Sequence, residues 1–220
     1  PTLRHALLAL APVAPTVAER LSLPRTLPHA GAVALTFDDG PHPEGTPAIL
    51  EILANADLRA TFFLIGEQVE RRPALAAEIV AAGHAVGLHG YRHRCQLRLR
   101  AADIAEDYRR GSAAIEEATD RSPELHRPPY GIYSAAGLAA ARNSRLRPLL
   151  WSKWGRDWRK FTTPERIAAR ATETIAGGDV ILLHDADFYS SRRSHRRTAQ
   201  ALPLVIAELK RRELGTVLPV

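Results

Sequence analysis

The 220-residue chain lacks the features of disulfide-stabilised, membrane-spanning and multidomain proteins. Its single cysteine, Cys95, excludes an internal disulfide framework and a zinc site built from several cysteines. The apolar run at residues 6–14 falls well short of the ~18 residues that a membrane helix needs. After Gly31 no low-complexity linker marks a second domain, so we expect one folded domain.

Residues 1–30 allow two interpretations. Arg4 and His5 precede the apolar run, as they would in the hydrophobic region of a short secretion signal. Alternatively, the run forms a short surface helix, whose length Pro12 and Pro15 would limit. We therefore predict an N-terminal arm or short helix at residues 1–30 and the main domain at residues 31–220.

Basic residues outnumber acidic ones, with 30 Lys and Arg against 24 Asp and Glu and a formal net charge of +6. The arginines are spread over the predicted helices, with a local concentration at residues 192–197. No motif interleaves them with aromatic residues as in RNA- or DNA-binding proteins, so we expect no nucleic-acid partner. The charge instead favours acidic partners such as cell-wall polymers.

Short apolar runs alternate with longer segments of helical period from Gly31 onward. This alternation is typical of βα units around a parallel sheet. Strands are predicted at residues 33–37, 60–65, 84–88, 124–126, 147–151, 180–183 and 216–218. Helices are predicted at residues 47–56, 73–83, 102–119, 134–143, 164–175 and 197–212, with Thr162 or Thr163 capping the fifth.

The polar residues after the strands distinguish a closed (β/α) barrel from an open doubly wound sheet. They follow five predicted strands and are Asp38 with Asp39, His89 with His93, Arg127, Asp157 and His184. Loops from many strands converge at the C-terminal face of a barrel, whereas an open sheet places its site mainly at one switch point. The fold class predicted is therefore α/β, a (β/α) barrel of about seven parallel strands.

Asp38 and Asp39 stand side by side at the end of the first predicted strand, before Gly40 and Pro41. Two ionised carboxylates at close range repel each other, and a nearby cation would remove that conflict. Asp-Asp-Gly-Pro is also an ordinary turn sequence, so the pair alone does not establish a cation site.

His89 and His93 are spaced four residues apart after the third predicted strand. If this segment turns helically, both imidazoles lie on one face and can share a divalent ion with a carboxylate. Such a pair on its own is often a surface coincidence. Two histidines and one aspartate would leave open coordination positions, which is typical of catalytic rather than structural zinc.

Five motifs in chain order resemble those of the polysaccharide deacetylase (NodB-type) family of carbohydrate esterases. They are TFDDGP at residues 36–41, His89-x-x-x-His93, RPPYG at residues 127–131, Asp157-Trp158 and LLH at residues 182–184. Residues 197–203 also resemble the family's last helix, and the resemblance spans residues 32–220. It implies an irregular (β/α) barrel that removes acetyl groups from N-acetylated sugars of a glycan, such as peptidoglycan or chitin-type chains.

The resemblance implies that Asp39, His89 and His93 hold one divalent metal ion, most often zinc, with cobalt or nickel as alternatives. Asp38 would be the general base that takes a proton from the attacking water. Arg127 would keep that carboxylate ionised and oriented. Taken singly, Arg127 could equally form a surface ion pair.

The same resemblance implies that His184 is the general acid for the leaving amine, held as an imidazolium by Asp157. The backbone N–H of Tyr130 would hold the oxyanion. Taken singly, Asp157 could be a turn residue and His184 a core histidine.

The tryptophans Trp151, Trp154 and Trp158 are concentrated around the fourth motif, and their flat aromatic faces suit stacking against sugar rings. Substrate contacts are predicted for Tyr130, Trp151 and Trp158, although both tryptophans could equally fill the core. Trp154 stands where family members usually carry Asp, and Gly90 where Ser or Thr is usual. These two departures affect fine positioning without removing an assigned role.

The remaining polar residues are given lesser roles. The residues that follow His184, namely Asp185, Asp187 and Tyr189, are predicted in a loop at the rim of the site that could face substrate. Surface or packing roles are predicted for His42, His195 and Cys95.

Two alternative functions remain open at this point. One is hydrolysis of O-acetyl esters on xylan-like glycans, and the other is a catalytically weak, glycan-binding homologue, which the presence of Asp38 and His184 disfavours. We expect an acetylated glycan as substrate, no stable membrane span, a monomer, and a location in the cell envelope or outside the cell.

Overall fold

The computed structural model describes residues 8–219. The part of the predicted N-terminal arm at residues 1–7, which includes Arg4, His5 and the start of the apolar run, lies outside the described residues. Among the described residues, no helix combines the length and the apolar character needed to cross a membrane.

One parallel sheet forms the centre of the molecule. Its strands are β1 (Ala32–Asp38), β2 (Thr61–Leu64), β3 (Ala85–Leu88), β4 (Leu125–His126), β5 (Arg147–Pro148), β6 (Lys153–Trp154), β7 (Val180–His184) and β8 (Gly215–Thr216). The spatial order is β5-β4-β3-β2-β1-β7-β6, and β8 pairs with the amino end of β1. The edges β5 and β6 are consecutive in the chain, so the sheet curls into an irregular barrel, as predicted.

Helices connect the strands and run back to their amino ends, as parallel pairing requires. They are α1 (Pro15–Arg20), α2 (Gly45–Asn55), α3 (Gly66–Arg71), α4 (Pro73–Ala81), α5 (Ala101–Thr119), α6 (Ala135–Asn143), α7 (Pro164–Thr172) and α8 (Ser194–Arg211). Thr163 is the cap of α7, because its hydroxyl accepts a hydrogen bond from the backbone N–H of Arg166 at 3.3 Å. This selects Thr163 from the two residues predicted.

The secondary structure departs from the prediction in two places. The predicted strand 147–151 ends at Pro148, and the chain forms a separate strand β6 two residues beyond its predicted end. As a result Asp157 follows β6 and not β5. The short helix α3 was not predicted, because Gly66–Arg71 carries only Val69 as an aliphatic residue and shows no apolar period.

Two apolar clusters fill the molecule on either side of the sheet. The larger one packs the helices against the outer face of the strands, through residues such as Phe37, Phe62 and Leu183. The smaller one lies on the other face, where Phe63, Leu150 and Trp151 meet Leu8 and Leu23 from the N-terminal segment. The backbone N–H of Leu150 also donates to the carbonyl of Pro24 at 2.8 Å. The N-terminal segment therefore packs beside the connection between the two sheet edges.

Candidate active site and metal centre

Asp39, His89 and His93 come together at the carboxyl ends of β1 and β3. The Asp39 Oδ1 atom lies 3.4 Å from His89 Nε2 and 3.5 Å from His93 Nε2. Asp39 has a positive φ of 82°, a rare conformation for a residue with a side chain. All three side chains are at least nine-tenths buried. The predicted grouping of these residues is thus present in the structure.

The hydrogen bonding of this group fits a divalent metal ion. The Nδ1 atom of His89 lies 2.7 Å from the carbonyl oxygen of Arg127, so Nδ1 carries the proton and the lone pair of Nε2 faces Asp39. Burial lowers the pKa of His93 to about 4, which leaves this imidazole neutral. Asp39 Oδ1 is buried and has no hydrogen-bond partner among the described residues. Neutral imidazoles around an unsatisfied carboxylate oxygen are the donor set that zinc prefers.

The protonation of Asp39 agrees with this interpretation. Burial acts to raise the pKa of its carboxyl group, but the nearby histidines, His184 among them, outweigh it and lower the pKa to about 2. The carboxylate is therefore ionised at neutral pH and available as a ligand.

Asp38 is held by a buried arginine. Arg127 is fully buried and its Nη1 atom donates to Asp38 Oδ1 at 2.7 Å and to the Thr36 hydroxyl at 2.8 Å. Its other nitrogens donate to the carbonyls of Leu149 and Leu150 at 2.9 and 3.0 Å. A surface ion pair, the alternative for Arg127, is wrong. The guanidinium fixes one carboxylate oxygen of Asp38, and the other lies 3.8 Å from His89 Nε2.

His184, the last residue of β7, is paired with Asp157. Its Nδ1 atom lies 2.8 Å from Asp157 Oδ1, and its backbone N–H donates to Oδ2 at 2.7 Å. The Thr198 hydroxyl donates to the same Oδ2 at 2.8 Å. Burial lowers the pKa of His184, but the Asp157 carboxylate outweighs it and raises the pKa to about 10. His184 is therefore an imidazolium at neutral pH.

These groups surround one cavity of about 280 Å³. Asp38, Asp39 and the histidines His89, His93 and His184 line it, and aromatic side chains form most of the remaining wall. The two carboxylates and the imidazolium of His184 thus face a common space large enough for an acetamido group. Arg127 and Asp157 act on this space through the side chains that they hold.

Tyr130 and the tryptophans form the wall of the cavity. Tyr130 lies in a short 3-10 turn with a φ of 63°, and its side chain is 57% exposed. The rings of Trp151, Trp154 and Trp158 follow one another at centroid distances of 5.7 and 5.4 Å, and Trp158 meets His184 edge-on at 5.4 Å. Trp151 is buried, so it offers less surface to a ligand than the half-buried Trp154 and Trp158.

The structure explains one of the two departures from the family motifs. Gly90 has a φ of 87°, and a Cβ atom at this position would lie 2.9 Å from the Asp107 carboxylate. That carboxylate accepts a hydrogen bond from the backbone N–H of Tyr91 at 2.8 Å. Glycine therefore suits the turn between the two histidines. Trp154 packs between its two neighbouring tryptophans, and the Arg156 guanidinium lies 4.5 Å from its ring centroid.

The segment after His184 differs from the prediction of a rim loop. Asp185 is fully buried and accepts a hydrogen bond from the Thr46 hydroxyl, so its placement at the rim is wrong. Burial raises the pKa of its carboxyl group to about 7. Tyr189 does line the cavity, and its ring stacks on His93 at 4.3 Å and 9°. The spacing of the residues gave no signal for this stacking.

A second group of two histidines and an aspartate lies next to the first. His42 Nε2 is 3.2 Å from Asp187 Oδ1, and His195 Nδ1 is 3.4 Å from Asp187 Oδ2. Both histidines are buried, which makes them packing residues and excludes a surface position. His42 Nδ1 accepts hydrogen bonds from the backbone N–H groups of Glu44 and Gly45 at 3.1 and 2.9 Å. Cys95, the third residue in that prediction, is partly exposed.

The comparisons with known proteins agree with the geometry. A family model described as polysaccharide deacetylase matches residues 27–149. A peptidoglycan-N-acetylglucosamine deacetylase from Bacillus cereus is 33% identical over 181 residues, 81% of this chain and 82% of that protein. A chitooligosaccharide deacetylase from Bradyrhizobium is 35% identical over 188 residues, with 82% and 85% coverage. A family 4 carbohydrate esterase from Streptomyces lividans, solved in complex with acetate, superimposes with a TM-score of 0.78 at 29% identity, covering 86% of this chain and 93% of that one.

Proposed function

Because the chain belongs to the polysaccharide deacetylase family, we propose that it hydrolyses the acetamido groups of N-acetylated sugars in a glycan. The observation that carries this proposal is one cavity that brings the Asp39, His89 and His93 group together with Asp38 and His184. A base, an acid and a candidate cation site around one space are the parts that amide hydrolysis needs.

Asp39, His89 and His93 would hold a divalent metal ion, with zinc as the first choice and cobalt or nickel as alternatives. The ion supplies Lewis acidity, which polarises an amide carbonyl and lowers the pKa of water. Two observations support this assignment. Asp39 Oδ1 lacks a hydrogen-bond partner among residues 8–219, and His89 presents the lone pair of Nε2 to it.

Asp38 would take the proton from the attacking water. Arg127 occupies only its Oδ1 atom, which leaves Oδ2 to accept the proton. The guanidinium at 2.7 Å orients this carboxylate toward the cavity. As the water attacks the carbonyl carbon, the oxygen gains negative charge, and the backbone N–H of Tyr130 would donate to it.

His184 would deliver the proton that the leaving amine requires. Its Nδ1 atom is engaged by Asp157, so the proton on Nε2 is the one available for transfer. Asp157 keeps the imidazole charged until the C–N bond breaks. The acetyl group leaves as acetate and the sugar as a free amine. Tyr130, Trp151 and Trp158 would hold the sugar, with Trp158 also packed against His184.

The relatives act on peptidoglycan and chitooligosaccharides, which supports a glycan substrate and a location in the cell envelope or outside the cell. We assign the catalytic domain to residues 31–220 and the N-terminal arm to residues 1–30. The exposed turn at Tyr130 gives a polymer access to the cavity.

The test is acetate release from a panel of acetylated glycans, measured with and without a chelator. The panel contains chitin oligomers, peptidoglycan strands and O-acetylated xylan. We expect release from the N-acetylated members that stops with chelator and returns with zinc. Asp38→Asn should bind the oligomer but lose turnover by about 1,000-fold, since it removes the base. Absence of release from every member would overturn the proposal, and release from xylan alone would assign ester hydrolysis.

A further inference from the structure

The two sides of the cavity differ in how their positive charges are compensated. On the side of His93, three arginines have carboxylate partners, whereas Arg72 donates to the amide oxygen of Gln68 at 2.8 Å. Arg94 lies 2.9 Å from Asp107, while Arg92 and Arg71 lie 3.8 and 3.9 Å from Glu67. These ion pairs compensate much of the positive charge on this side.

The opposite side carries a group of cations without such partners, which we call the basic rim. Within residues 8–219, no carboxylate oxygen lies within 4 Å of a cationic side-chain nitrogen of its members, which are Arg156, Arg159, Lys160, Arg192, Arg193 and Arg197. Arg159, Lys160, Arg192 and Arg193 are exposed. The basic rim comes from two segments of the chain, residues 156–160 and 187–197. Asp187, the acidic residue of the second segment, is already engaged by two histidines.

The basic rim is one surface and it borders the cavity. Its two segments are joined because the backbone N–H of Ser191 donates to the carbonyl of Trp158 at 3.1 Å, and Arg197 donates to the carbonyl of Arg159 at 3.0 Å. Trp158 and Ser190, which line the cavity, belong to the same two segments. Phe161 follows Lys160 and is 85% exposed, so it offers an aromatic face on this surface.

Uncompensated cations beside a cavity repel one another and attract anions. The sugars next to the reacting one extend beyond a space of about 280 Å³, so an extended glycan seated in the cavity reaches the surface around it, which includes the basic rim. Negative groups on those sugars would meet the basic rim, whereas a neutral chain would gain only contact with Phe161.

We propose that the basic rim is a subsite for carboxylates of the glycan, so that the protein acts on an acidic N-acetylated polymer in preference to a neutral one. The inference rests on the proposed function for the chemistry in the cavity. It goes beyond that function because it specifies the charge of the substrate and the residues that recognise it.

The test compares two oligomers of equal length. One contains only N-acetylglucosamine, and in the other this sugar alternates with an N-acetylated sugar that bears a carboxylate, as in peptidoglycan strands. Binding to the zinc-loaded protein is measured by calorimetry at two salt concentrations, in parallel with acetate release. We expect the acidic oligomer to bind at least about tenfold more tightly at low salt, with the preference shrinking at high salt.

The variant R159E/K160E should lose this preference and keep its affinity for the neutral oligomer within about twofold. Its matched control is R142E/K210E, which changes the net charge equally at exposed positions near the C-terminal ends of α6 and α8, away from the cavity. The control should behave as the unmodified protein.

Equal affinities for the two oligomers, no binding of either, or equal effects of both variants would overturn the inference. Binding to phosphatidylglycerol vesicles that only R159E/K160E loses, without a preference between the oligomers, would assign the rim to a lipid surface instead. Binding needs no turnover, so a clear preference without acetate release would overturn the proposed function while supporting the basic rim as a binding subsite for carboxylates.

Discussion

Two groups of one aspartate and two histidines lie near the end of β1, and they differ in where the imidazole protons point. In the first, Asp39 lies 3.4 and 3.5 Å from the nitrogens of His89 and His93. In the second, Asp187 lies 3.2 and 3.4 Å from those of His42 and His195. Composition, spacing and burial are nearly the same in both groups.

The hydrogen bonds on the far side of one ring in each group, His89 and His42, separate the two groups. His89 donates from Nδ1 to a carbonyl, so its Nε2 lone pair faces the aspartate. His42 accepts two backbone N–H groups at Nδ1, so in the neutral ring the proton sits on Nε2 and faces the aspartate. The first arrangement suits a cation and the second suits a direct hydrogen bond. The second aspartate–histidine group therefore anchors the chain, whereas the first is a candidate metal site.

The largest effect is expected when one histidine in each group is replaced by glutamine. We expect His93→Gln to lose bound zinc and to lower acetate release by at least about 1,000-fold, because a ligand is removed from a catalytic ion. His195→Gln should keep one equivalent of zinc and most of the activity. The measurements are metal content by mass spectrometry after dialysis and rates on an N-acetylated oligomer.

The two variants serve as controls for each other, since both replace a buried histidine by glutamine. A second equivalent of zinc in the unmodified protein that disappears in His195→Gln would contradict the comparison. So would full zinc retention in His93→Gln.

Asp157 and His184 form a further aspartate–histidine contact, and it sharpens the comparison because here the imidazole carries a proton on both nitrogens. The activity requires the protonated ring, so it falls as pH rises through a His184 pKa that Asp157 raises to about 10. A cation held at Asp39 would lower the pKa of His184 and, with it, the pH at which the activity falls. Asp157→Asn removes the charge, and burial then moves the alkaline limb to about pH 6.5 or below, which at pH 8.5 is a loss of about 100-fold.

The measurement is kcat/KM from pH 5 to 10 for both proteins. A shift of the alkaline limb distinguishes a charge effect from a merely structural one, which would lower the whole profile without moving it. Thr198→Val is the control, since it removes the hydrogen bond from the Thr198 hydroxyl to Asp157 without removing the charge. If its limb moved as far as that of Asp157→Asn, the charge would not be the cause.

Much of this site could be predicted from sequence because its residues stand at strand ends, which the apolar runs mark clearly. Asp38, His89 and His184 follow such runs directly. The position of Asp157 was harder to predict, since β6 has only two residues and no apolar run of its own. Local pattern does not encode it, because pairing with β7 creates that strand.

The second group could not be predicted, because its three residues come from segments that only the folded barrel brings together. His42 follows β1, Asp187 lies in the connection from β7 to α8, and His195 is in the first turn of α8. The basic character of residues 192–197 was visible in the sequence, but its partition into paired and unpaired cations was not. Arg196 lies 2.7 Å from Glu44, a residue distant in sequence.

The smallest effect is expected where the second group acts as a cap. His42→Ala removes the acceptor of the backbone N–H groups at the start of α2, and we expect a loss of about 1–2 kcal/mol in the free energy of unfolding. His42→Asn offers an oxygen near the same place and should recover part of that loss.

Both variants should keep their zinc and their acetate release within about twofold at a temperature where they are folded, because the ring does not contact the cavity. Chemical denaturation and metal content measure the two quantities separately. A loss of zinc in His42→Ala that His42→Asn does not restore, without a change in unfolding, would mean that this ring serves a metal after all, and the distinction between the two groups by proton position would fail.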